Sequence, residues 1–190
     1  VEDTRPAEEV IPVEWTLAEA VEAIAARLGR LPKGPVPQLV AIDGRCGSGK
    51  SRLADALAAV ADASVIHMDD FFLQPHQRTE ARLCEVGGNV DRERFATEVL
   101  APWREGRPFQ YRRFDCGSGR LDPAIEIPLR QVWIVEGAYS HHPAFGHIQA
   151  LRIFLTTDPA EQKERILRRN GPDLWKRFAD EWIPMEERYF

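Results

Sequence analysis

One octapeptide constrains this chain more than any other feature: Gly44-Arg45-Cys46-Gly47-Ser48-Gly49-Lys50-Ser51 fits G-x-x-x-x-G-K-[ST]. The apolar run "LVAID" precedes it in the manner of a buried strand, and Leu53, Ala54, Leu57 and Val60 follow at helical spacing. A strand, a bare turn and a helix N-terminus in that order make an anion cradle. Glycines remove the Cβ atoms that would block a backbone curling around a phosphate, and the helix adds the positive end of its dipole. Lys50 then reaches β- and γ-phosphate oxygens as a point charge, and the Ser51 hydroxyl ligates Mg²⁺. The nucleotide-binding set is Gly44, Arg45, Cys46, Gly47, Ser48, Gly49, Lys50, Ser51 and Arg52. The plain alternative is a glycine-rich strand-to-helix turn that holds no ligand.

The rest of the chain sets that loop in a recognisable frame. At 190 residues it is long enough for one domain with a real core. Residues 1–13 are acidic, with Pro6 and Pro12, and read as a loose arm ahead of a domain over residues 14–190. Thr16 and Glu19 form a capping-box pattern, and Leu17, Val21, Ile24 and Leu28 give an amphipathic helix ending near Gly29. "ASVIHMD", "QVWIVEGAY" and "LRIFLTTD" read as further strands, with a long polar loop from Phe71 to about Val90. "DRERFATEVLAPW" reads as helical, and "FQYRRFD" and "GRLDPAIEIPL" as the two arms of a hairpin. Asp158 or Thr157 caps the helix "PAEQKERILRR", with Pro159 in its first turn, and helical spacing resumes to the end with a break at Pro184. Strands alternating with helices predict an α/β, three-layer P-loop NTPase fold: a mostly parallel sheet, a helical lid and a substrate-binding hairpin.

Composition excludes several function classes. A net charge of -5 provides no global field for duplex nucleic acid. Cys46, Cys84 and Cys116 lie far apart with no C-x-x-C pair, which argues against a disulfide framework or a zinc site and for a reduced, cytoplasmic setting. No apolar run approaches the ~20 residues that span a bilayer, and the acidic N-terminus is unlike a signal peptide. Neither Asn89 nor Asn170 is followed by lysine, so the guanine-reading Asn-Lys-x-Asp of GTPases is missing.

In an open α/β sheet ligands lie beyond the carboxyl ends of the strands, where "HMDDFF" and "VEGAYS" place Asp69, Asp70 and Glu136. Phosphoryl transfer to a hydroxyl needs one carboxylate to accept the proton and another to serve Mg²⁺. At these residues the sequence resembles the uridine kinase-like group of P-loop small-molecule kinases, which includes phosphoribulokinase and bacterial pantothenate kinase. The resemblance covers most of residues 38–170. It implies that Asp69, in Asp69-Asp70-Phe71, is the base that activates the acceptor hydroxyl and that Glu136, in Glu136-Gly137, supports the metal and substrate. It also implies that Asp91, in Asn89-Val90-Asp91, contacts a sugar hydroxyl. The alternatives are a strand-end turn for Asp69 and Asp70, a salt bridge for Glu136 and an N-cap of "RERFATEVL" for Asp91.

Arg165, Arg168 and Arg169 lie on the helix after the fourth strand, and Arg165 and Arg169, four apart, share one face. The group's lid arginines imply that these two stabilise the transferring phosphoryl; the alternative is a solvated face paired with Glu161 and Glu164. The hairpin offers Tyr111 and Arg113, with Arg112, Phe114 and Asp115, to grip the acceptor, or Tyr111 and Phe114 simply pack it. It departs from the Tyr-Asp-Phe and Thr-His-Ser-Arg residues of uridine kinases. His76, His141 and His142 flank the acid segments, and the five tryptophans read as core or lid packing. The expected cofactors are ATP and Mg²⁺ and the expected partner a small-molecule hydroxyl acceptor, a nucleoside first. No nucleic acid or membrane is expected, and a homo-oligomer stays open. A non-nucleoside acceptor (vitamin precursor, sugar phosphate or antibiotic) and a nucleotide-sensing module without transfer are the other readings.

Overall fold

The computed structural model describes residues 14–190, so the arm expected over residues 1–13 lies outside the described residues. Helix α1 (Leu17–Arg30) starts at the predicted capping box: the Thr16 hydroxyl accepts from the Glu19 amide at 3.3 Å, and the Glu19 carboxylate accepts from the Thr16 amide at 2.8 Å. Its apolar stripe buries Ile24 and Leu28. Strand β1 (Gln38–Gly44), helix α2 (Lys50–Ala61) and strand β2 (Ala63–His67) follow, and a 3-10 turn over Met68–Phe71 carries both acids past the strand end.

The segment from Phe71 to Val90 is not the plain loop its polarity predicts. It contains helix α3 (Glu80–Cys84), capped by Thr79, and Phe72 bridges antiparallel to Val90. Arg82 supplies the order that polarity alone does not reveal: its guanidinium donates to the Gly88 and Val90 carbonyls at 3.2 and 2.9 Å and to Glu93 at 2.8 Å. Helices α4 (Arg92–Phe95) and α5 (Ala101–Glu105) come next, joined by a π-helical turn over Ala96–Leu100. The predicted hairpin is present as two nested antiparallel pairs, β3 (Phe109–Tyr111) with β6 (Ile125–Ile127) and β4 (Phe114–Asp115) with β5 (Arg120–Leu121).

Strands β7 (Val132–Glu136) and β8 (Leu151–Leu155) complete a four-stranded sheet in the order β2-β7-β1-β8, every neighbour parallel. Alternation along the strands sends Val40, Ile42 and Ile134 to one face, against Leu53 and Leu57 of α2 and Ile24 and Leu28 of α1. Leu39, Trp133, Val135 and Ile66 face the other way, against Phe95, Val99, Phe109 and Tyr111. These are the three layers of the predicted fold. Helix α6 (Pro159–Arg177), capped by Asp158, kinks where Gly171 leaves helical geometry, with φ 77° and ψ 172°. A π-helical turn over Phe178–Trp182 leads to α7 (Ile183–Tyr189), with Pro184 in its first turn. Among the described residues, no helix is long and apolar enough to cross a membrane.

Candidate active site

The glycine loop joins β1 to α2 at the carboxyl edge of the sheet, as the fold requires of a ligand site. Gly44 takes φ 132°, and a Cβ there would sit 1.9 Å from the Leu155 carbonyl oxygen. The first glycine is therefore required by the close approach of β8 rather than by a phosphate. Gly49 is the N-cap of α2 with no side-chain cap, so the first N–H groups of that helix have no intrahelical partner. Lys50 is buried, and its ammonium donates to the Gly44 and Arg45 carbonyls at 2.7 and 2.9 Å, leaving one of its three protons for a phosphate oxygen. Burial, with the negative charge of Glu186 beside it, pushes the Cys46 thiol up to about 12; Cys46 serves through its backbone, not as a nucleophile. Arg45 donates to the Thr156 hydroxyl at 3.2 Å and pairs with Glu187, tying the loop to the end of β8 and to α7.

A cavity of about 2000 Å³ opens over this loop, lined among others by Lys50, Ser51, Asp69, Glu136, Arg165 and Arg169. The Asp69 carboxylate reaches into it from the Met68–Phe71 turn. Its pKa is raised above the usual aspartate range, first by desolvation and then by the charge of Glu136, with Lys50, Arg169 and His67 pulling the other way. Glu136 ends β7, where Gly137 at φ 130° lets the chain turn so tightly that a Cβ there would lie 2.7 Å from that of Met68. One Glu136 oxygen accepts from the Ser51 hydroxyl at 3.1 Å and meets the His67 ring nitrogen at 2.6 Å.

Ser51 and Glu136 fit a magnesium ion: both offer hard oxygen donors, and 3.1 Å is close to the edge of about 2.9 Å in an octahedron of Mg–O bonds. Among the described residues no three His, Cys, Asp or Glu side chains converge to hold a metal by themselves, so phosphate oxygens and water would supply the remaining ligands.

His67 is the residue the sequence does not announce. It lies directly across from Glu136 in the β2–β7 register, and the hydrogen bond to that carboxylate raises its pKa above 6.5. A histidine pKa raised on folding adds stability below the unfolded value that is lost as pH rises through the folded one. The melting advantage of the native protein over His67→Gln is therefore expected to be larger at about pH 6 than at about pH 9. A difference that does not change with pH would show that the pair carries no charge.

Three expected acceptor contacts lie elsewhere. Asp91, 2 % exposed, caps α4 by accepting from the Arg94 amide at 3.0 Å, takes Gln77 Nε2 at 3.0 Å and pairs with Arg94 at 3.4 Å. Arg94 in turn donates to the Asp70 carbonyl at 2.7 Å, so Asp91 braces the turn that carries Asp69. Tyr111, 1 % exposed, stacks on Phe71 and donates its hydroxyl to Asp70 at 2.6 Å. Arg113 lies 3.6 Å from the same carboxylate. None of the three lines the cavity. Adjacent aspartates thus divide the work: Asp70 faces the hairpin, and Asp69 faces the cavity. Arg165 donates to the Gly47 carbonyl at 3.0 Å and pairs with Glu161, so it clamps α6 to the loop; Arg169 acts electrostatically on Asp69 and donates to Asn170 at 2.7 Å. His141 and His142 accompany the backbone of this edge, His142 meeting the Val86 carbonyl at 3.1 Å.

The fold is the three-layer architecture that solved uridine kinase-like P-loop kinases share. Among solved structures that share it, a Silicibacter protein provisionally named a fructose transport system kinase is 25% identical, with 93% of this chain and 94% of that one covered and a TM-score of 0.70. A Bacillus stearothermophilus protein described as a possible uridine kinase is 14% identical, covering 87% of this chain and 94% of its own, with a TM-score of 0.65. The D-glycerate 3-kinase of Cryptococcus neoformans is 13% identical, covering 90% and 86%, with a TM-score of 0.56. No protein-family model and no curated protein sequence matches the chain.

Proposed function

We propose that this protein is a kinase that transfers the γ-phosphoryl group of ATP to a hydroxyl of a small metabolite, a nucleoside first among the candidates. The observation that carries the reading is the convergence of Lys50, Ser51, Asp69, Glu136 and Arg169 on one cavity at the carboxyl edge of a parallel sheet. Asp69 takes the proton of the acceptor hydroxyl as its oxygen bonds to the γ-phosphorus, and the bond to the β–γ bridging oxygen breaks to release ADP. Lys50 and Arg169 offset the charge spread over the phosphoryl oxygens, and Arg165 holds the lid helix to the loop. Ser51 and Glu136 would hold Mg²⁺, which supplies further charge neutralisation when bound. His67 orients Glu136 for that task.

Burial of Tyr111 and Asp91 favours a second reading with a non-nucleoside acceptor, because Asp91, which the resemblance turns toward a sugar hydroxyl, and Tyr111, which the hairpin offers as a grip for the acceptor, are spent on capping and packing. The names of two neighbours, a fructose transport system kinase and a D-glycerate 3-kinase, agree with it. Purified protein with Mg-ATP and a panel of nucleosides, sugars and vitamin precursors, read by mass spectrometry, separates the cases. An added phosphoryl on a nucleoside is the expected result. Transfer confined to another class moves the acceptor and keeps the chemistry. ATP binding with transfer to nothing on the panel points to a nucleotide sensor or to an acceptor outside the panel.

A further inference from the structure

The last helix brings another carboxylate to the phosphate loop. Glu186 of α7 is 6% exposed, and its Oε2 accepts the N–H of Cys46, the third residue of the glycine motif, at 2.9 Å. The seat is built rather than incidental. Tyr189 donates its hydroxyl to Asp43 at 2.7 Å and packs its ring 4.9 Å from Tyr139. Glu187 pairs with Arg45, whose guanidinium also lies 5.5 Å over the Phe190 ring, and Phe190 meets Phe154 edge-on at 4.8 Å.

Glu186 lines the same cavity as Lys50; burial raises its pKa above the usual glutamate range, while the Cys46 N–H and the Lys50 ammonium favour its charged form. Its chemistry is therefore that of an incoming phosphate: an oxygen anion, a loop amide and the loop lysine. An N–H that holds a carboxylate is not free for a phosphate oxygen, and two anions drawn to one lysine in a desolvated pocket repel each other. A triphosphate brings more negative charge to this point than a diphosphate does.

We propose that Glu186 is a specificity-determining residue of the nucleotide site: its carboxylate competes with the terminal phosphate of a nucleoside triphosphate, so seating of α7 and triphosphate binding oppose one another, while a diphosphate is tolerated. The proposal rests on the reading of the glycine loop as a nucleotide site. Triphosphate binding lifts α7 from the loop, and release of the phosphoryl group lets it return. The glutamine variant keeps an oxygen that can accept from Cys46 and removes the competing charge.

Calorimetry with a non-hydrolysable ATP analogue and with ADP, on the wild type, Glu186→Gln and Tyr189→Phe, tests this, with backbone hydrogen exchange of residues 183–190 as the second readout. Glu186→Gln is expected to bind the analogue about tenfold tighter and ADP less than about threefold tighter. Tyr189→Phe leaves the carboxylate in place but frees one anchor of α7, and is expected to tighten the analogue by about threefold; it serves alone should the glutamine variant not fold. In the wild type the analogue should speed exchange over residues 183–190. Equal or weaker analogue binding by both variants, or slower exchange in that segment on binding, overturns the proposal while leaving the nucleotide site intact. Lys50→Ala separates the two failures: if neither nucleotide binds the wild type, or if binding survives Lys50→Ala, the glycine loop is not the site and the competition falls with it.

Discussion

Asp69→Asn is expected to lower turnover by about a thousandfold, within the range of about 10²–10⁴ that a positioned base contributes, while ATP binding persists. The substitution preserves shape and removes only the capacity to accept a proton. It also carries a signature that a merely structural aspartate would lack. The native pKa of Asp69 is raised above 3.8, chiefly by desolvation. The folded state therefore holds this proton to higher pH than the unfolded chain does, and stability falls as pH rises from the ordinary aspartate value through the native one. Asp69 is exposed to solvent in the open cavity, so that penalty is small, and Asp69→Asn should melt close to the wild type at neutral pH while being nearly inactive. In the wild type kcat/KM should climb with pH along a limb lying above the usual aspartate range, and the limb should vanish in the variant. Near-normal turnover, or loss of activity together with loss of folding, would remove Asp69 from the role of base.

The position of that carboxylate was legible before any coordinates because its causes are local. A glycine loop after a strand, and an acid just past each of two later strands, can stand together only at one edge of a parallel sheet. The same holds for the capping box at Thr16 and Glu19, the Asp158 cap of α6 and the hairpin, each set by neighbours within a few residues. What stayed hidden depends on partners far along the chain. His67 matters because parallel register puts it opposite Glu136, and register cannot be read from either strand alone. Asp91 and Asp70 look like further site acids in the sequence, yet Arg94 and Tyr111 take them into the fold. Tyr111 reads from the sequence as a grip for the acceptor or as packing of the hairpin, and only the contact with Phe71, forty positions earlier, decides for packing. The approach of Glu186 to Cys46 spans 140 positions and leaves no pattern in the chain.

Asp43 shows how such distant partners hold the site, and its removal should have the largest effect on stability. It is fully buried one residue before the glycine motif and accepts four hydrogen bonds: the Gly44 amide at 2.7 Å, the Tyr139 amide at 3.1 Å, the His141 amide at 2.8 Å and the Tyr189 hydroxyl at 2.7 Å. One carboxylate thus joins the root of the phosphate loop, the turn after Glu136 and the last helix. Asp43→Ala takes the acceptor from three backbone donors, the buried Gly44 and Tyr139 amides and the half-buried His141 amide. Hydrogen bonds to a charged group contribute roughly 1.5–3 kcal/mol each, and the losses overlap, so a total of about 3–5 kcal/mol is expected. At about 2–4 °C per kcal/mol for a domain of this size, the melting temperature should fall by roughly 10 °C. Asp43→Asn should cost less, because its remaining oxygen keeps the Gly44 and Tyr139 amides while its NH₂ group faces the His141 amide donor to donor. ADP binding, which does not depend on lifting α7, should weaken in step with stability in both variants, since the loop and the Glu136 turn lose their common anchor. Urea unfolding of the three proteins checks the order, and a cost below about 1 kcal/mol for the alanine variant would mean that water replaces the carboxylate and that the loop is held by its glycines and Lys50 instead.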